Sequence, residues 1–368
     1  MESEKKIRIT YIDIVKAIAM IGVVMVHACV NNKEIWLSTN AYLIRILSAF
    51  AMPVFFFVNG FLYKNKNIDH PVKEIVRKIK SYYFPFLAYN LFYLVFHNLF
   101  VYLHMLDAEY GNSYYGWKEY AKHFLLAITG HREFFSGALW FLGSILMVNI
   151  VYILVDYFIY KTGKTKYLLY IMGAVTFILV LAGNSGYVPS TMKLSTSCAY
   201  SIYFFLGMIY RRKDLNKYFL KHKIVFIVLG VAFNLLISYI RQYNPLYISN
   251  AIIFIILDYI NSCFSIIAIL LFAQCDMTQK SKVLNTIGKN TMDIMGFHFM
   301  VFKIVSLGII AFYSLPIERL AEYPVLMGIG GGWWILYTII GILIPTLFSI
   351  WRHTWNKKED IKVMKNYV

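Results

Sequence analysis

The chain is a succession of long apolar runs separated by short polar stretches. A helix needs about 20 mostly apolar residues to cross a bilayer. By that measure the runs at 12–30, 43–63, 82–104, 139–160, 167–183, 195–210, 223–240, 251–274, 291–312 and 327–350 predict ten membrane-spanning helices. The sixth is the least apolar, because it opens on Ser195, Thr196 and Ser197. All the runs are too long for barrel strands and lack their alternation. The predicted fold class is all-α, a polytopic membrane helix bundle.

Charge then orients the spans. Of the 36 Lys and Arg, 26 fall in segments 1–11, 64–81, 161–166, 211–222 (with Lys223 at its border), 275–290 and 351–368. Seven fall in the segments that alternate with these. Basic loops stay in the cytoplasm, so both termini are expected inside. The first run exceeds a signal-peptide core, holds Lys16 and His27, and has no small-residue cleavage site, so it reads as a retained helix. Neither a repeat nor a soluble domain stands out. Residues 1–368 read as one transmembrane domain, with an outer loop at about 105–138 and a short basic tail at 351–368.

Composition narrows the class. Hydrophobic residues make up 59% of the chain and charged residues 15%, against about 25% charged in a soluble domain. Soluble and disordered classes are excluded, and membrane lipid is an obligatory partner. The net charge of +17 sits in clusters between apolar runs, which argues for topology and against nucleic acid. Four cysteines at unrelated spacings read as packing residues.

Ionisable residues inside spans are costly and mark candidate chemistry. The first helix carries three. Asp13 and Lys16 are three residues apart and therefore neighbours. Eleven residues further, His27 returns to nearly the same face after a rise of roughly 16 Å. One reading is an interfacial ion pair plus a structural histidine; the other is a functional stripe leading to a general base. Asn59 and Gly60 end the second span, as packing glue or as functional polar groups. Arg77 and Lys80 share a helix face before the third span, where they serve either topology or a cytoplasmic phosphate. Trp140 opens the fourth span, and His298 lies about two turns into the ninth. His97, Asn90, Asn149, Asp258, Asn261 and Lys303 are weaker candidates. Gly328 to Gly332 lacks the Lys-Ser/Thr of a phosphate loop. His104, His123 and His131 match no metal-ligand spacing, so no metal is expected.

These residues line up with a known pattern. The stretch Arg8-Ile9-Thr10-Tyr11-Ile12-Asp13-Ile14-Val15-Lys16, with His27 after ten intervening residues, resembles the opening of acyltransferase family 3 membrane proteins. Pro53 to Tyr63 resembles the family's Phe-Phe-x-x-Ser-Gly-Phe segment, with Asn59 where Ser is common. Arg77-x-x-Lys80 resembles its Arg-x-x-Arg pair, with Lys in second place. Leu139-Trp140-Phe141-Leu142 resembles its Leu-Trp-Phe/Tyr-Leu segment, and Gly288 to His298 resembles its penultimate helix. The motifs occur in the family's order over most of the chain.

The resemblance implies an O-acyltransferase of the type that modifies bacterial surface polysaccharides, in the plasma membrane. It implies transfer of an acyl group, usually acetyl from acetyl-CoA, to a hydroxyl of a carbohydrate or lipid-linked glycan. It carries His27, Asp13 and Asn59 over as catalytic, and Lys16, Arg77, Lys80 and Arg8 as acyl-CoA-binding. Trp140 and His298 become substrate-binding candidates. Two mechanisms stay open: His27 as base for direct attack, or His27 as acyl carrier. Asn59 is the candidate oxyanion donor. The competing reading is a transporter or flippase of a lipid-linked glycan.

Overall fold

The computed structural model describes residues 9–33, 37–107, 113–189, 193–243 and 251–365. Among them every regular element is helical. In chain order the helices are α1 (Thr10–Cys29), α2 (Ala41–Ser48), α3 (Pro53–Phe61), α4 (Pro71–Val95), α5 (His97–Tyr102), α6 (Trp117–Ile128), α7 (Trp140–Lys161) and α8 (Leu168–Asn184). They continue with α9 (Leu194–Arg212), α10 (Leu215–Lys221), α11 (Lys223–Tyr243), α12 (Ala251–Phe272), α13 (Asp276–Gln279), α14 (Lys282–Lys289), α15 (Thr291–Tyr313) and α16 (Trp333–Lys365).

Eight helices are long and apolar enough to cross a membrane, among the described residues. They fall on eight of the ten expected spans. The other two are helical but more polar. Helix α4 starts with Lys73, Glu74, Arg77, Lys78 and Lys80, and α9 with its Ser/Thr stretch. Two expected spans are also broken. The run 82–104 stops at Val95 and resumes as α5. The run 43–63 is interrupted before Pro53, which starts a helix readily because it has no N–H to pair. The last span begins at Trp333 rather than 327, because Gly328 and Gly331 take left-handed φ values of 70° and 88° that suit a bend.

The chain divides into two compact units. The first holds residues 1–52, 219–305 and 327–368. Helix α1 lies at its centre, packed on α2, α12, α14 and α16. It is apolar on nearly all faces and buried on most of them, as a central helix should be. Its inner end meets α14 backbone to backbone: a Cβ on Gly288 would stand 1.9 Å from the Asp13 carbonyl oxygen. Past its outer end, the Asn31 carbonyl accepts from Gly328 N at 2.8 Å, and Asn31 Nδ2 donates to Ile329 O at 3.0 Å. The glycine stretch that mimics a phosphate loop is thus a tether for α1.

The second unit holds residues 53–218 and 306–326. Its core is the packing of α3 on α9, joined by α4, α7 and α8. Helices α3 and α9 touch through glycine. A Cβ on Gly60 would lie 1.8 Å from Phe204 O, and one on Gly207 would lie 2.0 Å from Phe57 O. Small residues let membrane helices come this close, where dispersion replaces the missing hydrophobic drive. Gly60→Ala and Gly207→Ala should each destabilise by about 1–3 kcal/mol, since backbone cannot yield as a side chain can. Gly143→Ala, with open space around it, should be neutral or slightly stabilising in the same thermal unfolding assay in detergent.

Candidate active site

In the first unit the sequence stripe on α1 is partly realised. Lys16 Nζ lies 2.7 Å from Asp13 Oδ1, with Asp13 buried and Lys16 partly exposed. Asp13 is separated from His27 by roughly 21 Å of helix rise. It therefore orients Lys16 and does not touch the imidazole. Arg8 lies outside the described residues.

His27 sits in the last turn of α1 and meets α15. Its ring stacks on His298 with centroids 5.4 Å apart and planes at 29°. Phe299 closes a second side edge-on at 4.7 Å, and Phe302 packs against His298 at 5.7 Å. His298 is fully buried. Its Nδ1 lies 2.9 Å from the Ile294 carbonyl and 3.1 Å from that of Met295. Carbonyls only accept, so Nδ1 carries the proton. In the neutral ring Nε2 then presents a lone pair. That Nε2 is buried and has no hydrogen-bond partner among the described residues. A buried neutral imidazole with its tautomer fixed and one ring nitrogen unpaired is able to accept a proton.

The second unit holds the other candidates, at the inner end of α4. Glu74 is fully buried. Arg77 Nε donates to its Oε2 at 3.0 Å, Arg77 Nη2 donates to its Oε1, and Asn67 Nδ2 adds a third bond at 3.0 Å. Arg77 is thus bound to Glu74 rather than standing open beside Lys80, and Lys80 is exposed. Between them Lys78 is buried, its ammonium 6.0 Å from the Tyr63 ring centroid and 5.9 Å from that of Tyr82. Tyr82 OH donates to Asn59 Oδ1 at 2.5 Å, and Asn59 Nδ2 reaches Phe55 O at 3.4 Å. The amide oxygen of Asn59 is therefore engaged, and its Nδ2–H is the weakly held group. Trp140, half-exposed at the start of α7, stands edge-on to Phe141 at 6.4 Å.

Electrostatics follows from this burial. Burial pushes the Glu74 carboxyl up, but the bonds from Arg77 and Asn67 and the charges of Arg77 and Lys78 outweigh it, so the net shift is downward. Lys78 is lowered to about 8, by burial first and by the Arg77 charge second, with Glu74 opposing. Glu74, Lys78 and Tyr82 escaped the sequence reading. The three- and four-residue spacings of Glu74 to Arg77 and Lys78 were visible in it; the tyrosines around Lys78 were not. Phe299 gave no signal. No group of three or more His, Cys, Asp or Glu could hold a metal, among the described residues.

Two outcomes test the α4 cluster. Arg77→Ala should cost up to about 3 kcal/mol in denaturant unfolding, because it strands a buried carboxylate. Glu74→Gln should cost less, because a guanidinium already 43% exposed can turn to water. Lys78 binds its proton less tightly when folded, at about 8 against an ordinary 10.5. Between those values the unfolded chain holds more protons, so stability should rise with pH there. The slope should not exceed about 1.4 kcal/mol per pH unit, and Lys78→Gln should flatten it.

Comparison with known proteins adds one match. The profile of the family described as an acyltransferase domain matches residues 9–353. No curated protein and no solved structure matches the chain.

Proposed function

We propose the following reaction for this chain, which belongs to acyltransferase family 3 and is a multi-pass membrane acyltransferase. An acyl group, acetyl in the simplest case, passes from cytoplasmic acyl-CoA to a hydroxyl of a cell-surface carbohydrate or lipid-linked glycan. Family membership makes acyl transfer the activity and displaces the flippase reading. The observation that carries the finer proposal is the His27–His298 couple, with one imidazole fixed by backbone carbonyls and the other stacked upon it.

Two routes use the couple. In the first, a neutral imidazole takes the proton of the acceptor hydroxyl as its oxygen attacks the thioester carbonyl. The C–S bond breaks, and the imidazolium returns the proton to the CoA thiolate. In the second, His27 attacks the thioester, loses its ring proton to the departing thiolate, and holds the acyl group on nitrogen. The hydroxyl then attacks the acyl-imidazole, and its proton ends on the freed ring. The second route suits a donor inside and an acceptor outside. His298 supports either, because its Nε2 can take a proton without turning the ring. Within the second unit, the exposed side of Arg77 and Lys80 are assigned to the CoA phosphates, and Trp140 to the acceptor. The charge distribution supports both termini inside, and the membrane we assign is a bacterial plasma membrane.

The test is acetyl transfer from radiolabelled acetyl-CoA by the full chain in lipid. His27→Ala should abolish it. His298→Asn keeps a donor for the Ile294 and Met295 carbonyls but removes the base, and should lower turnover at least about 100-fold, the usual contribution of general-base catalysis. Hydroxylamine-labile label on the protein, absent in His27→Ala, selects the second route. Undiminished transfer by both variants would remove the couple from the reaction.

A further inference from the structure

The segment expected to be an outer loop has an unexpected register against its neighbour. At one end His97 Nε2–H donates to Ser113 O at 2.9 Å, and Asn98 exchanges two bonds with the Tyr115 backbone at 2.9 and 2.8 Å. At the other end Tyr83 OH donates to the Ile128 carbonyl. Between them Asn90 Nδ2 donates to His131 O at 2.5 Å, while Asn90 Oδ1 accepts from Glu133 N at 2.8 Å. Helix α6 therefore runs antiparallel beside α4, from the level of residue 98 to that of residue 83, and the chain turns back to residue 90. From Tyr83 to Val95, α4 rises by roughly 18 Å, over half of a hydrocarbon core of about 30 Å. Tyr83 lies only one turn past Lys80, the last cation on α4.

The surface of α6 agrees with that depth. At about 100° per residue, Trp117, Ala121, Phe124, Leu125 and Ile128 fall within one arc roughly 100° wide, and all five are exposed. Tyr120, His123 and Ala127 face the protein, with His123 Nδ1 2.9 Å from Glu133 Oε1. Lys118 and Lys122 flank the apolar arc in the outer half of the helix, where a long stem can carry its charge to the headgroups. The inner half, His123 to Ile128, carries no Lys or Arg.

The turn is also built for low dielectric. Thr129 N, Gly130 N and His131 N donate to carbonyls of Leu125, Leu126 and Ala127. The carbonyls of Ile128 and His131 and the amide of Glu133 take Tyr83 and Asn90. Irregular backbone at membrane depth requires this satisfaction, and requires its polar side chains to meet protein or water. Yet Thr129, His131 and Arg132 are exposed.

We propose that residues 113–139 form a re-entrant hairpin: α6 enters the bilayer beside α4 with its Trp117–Ile128 arc against lipid acyl chains, and the turn at 129–132 opens onto water inside the membrane boundary. The hairpin stands whatever reaction the chain catalyses, because it rests on the bonds of residues 113–133 to α4 and α5 and on the membrane crossing expected of that run.

Nitroxides placed by Leu125→Cys and His131→Cys in the full chain, reconstituted in phosphatidylcholine/phosphatidylglycerol nanodiscs, test both halves. The label at 125 should collide with oxygen at least ten times more readily, relative to a nickel chelate, than a label at Tyr187, an exposed loop position. The label at 131 should meet the nickel chelate. Nickel access at 125 equal to that at 187 would overturn the proposal in favour of a water-facing loop. Exclusion of both reagents from 125 would overturn it in favour of a second protein copy covering the arc. Oxygen preference at 131 would overturn the wet turn. If a cysteine variant misfolds, quenching by lipids brominated on their acyl chains, compared between the native chain and Trp117→Phe, reads the same contact; equal quenching counts against it.

Discussion

The backbone contact between Gly288 and the Asp13 carbonyl sets the height of α1, and much of the first unit depends on it. With α14 seated there, α15 starts three residues beyond Gly288 and brings His298 against His27. The outer end is fixed separately, by Asn31 on Gly328 and Ile329. A helix held at both ends cannot slide. Sliding by one residue would rotate its faces by about 100° and turn His27 away from its partner. The apolar interior alone would not provide this register, since lipid and leucine solvate an apolar helix equally well.

Polar groups are the other fixed points. In a medium that offers no water, an unpaired carboxylate or amide is expensive, so each one selects a geometry. Glu74 collects Arg77 and Asn67; Asn90 collects His131 and Glu133; Asn234 Nδ2 reaches across to Ile46 O at 3.1 Å. Among the described residues, His298 Nε2 is one of several buried polar atoms without a hydrogen-bond partner, and the proposed reaction would give it a use. Two carbonyls hold its Nδ1, and the rings of His27, Phe299 and Phe302 pack around it.

The aromatic residues divide by what surrounds them. Tyr115 lies flat on His97 at 3.5 Å and is part of a packed network. Trp117, two residues on, is among the most exposed large residues of the chain. Similar side chains in one stretch of sequence thus serve the protein interior and the lipid. Only the orientation of α6 against α4 separates them.

Much of the fold was legible in the sequence because it reflects solvent. Apolar runs near 20 residues must become helices in lipid, and the basic clusters between them give topology its direction. The Lys16-to-His27 interval and the ordered motifs likewise led to the acyltransferase family without any contact being known. What needed tertiary structure was partnership. That His298 faces His27, that Arg77 is tied to Glu74, and that Lys78 is enclosed by two tyrosines follow from packing between segments far apart in the chain. The outer loop shows the limit most clearly. Residues 117–128 are too short and too mixed to read as a membrane element, and their depth is set by Tyr83, Asn90 and His97. Hydropathy reports how each residue meets solvent, but a hydrogen bond depends on which group lies opposite, and only the folded chain decides that.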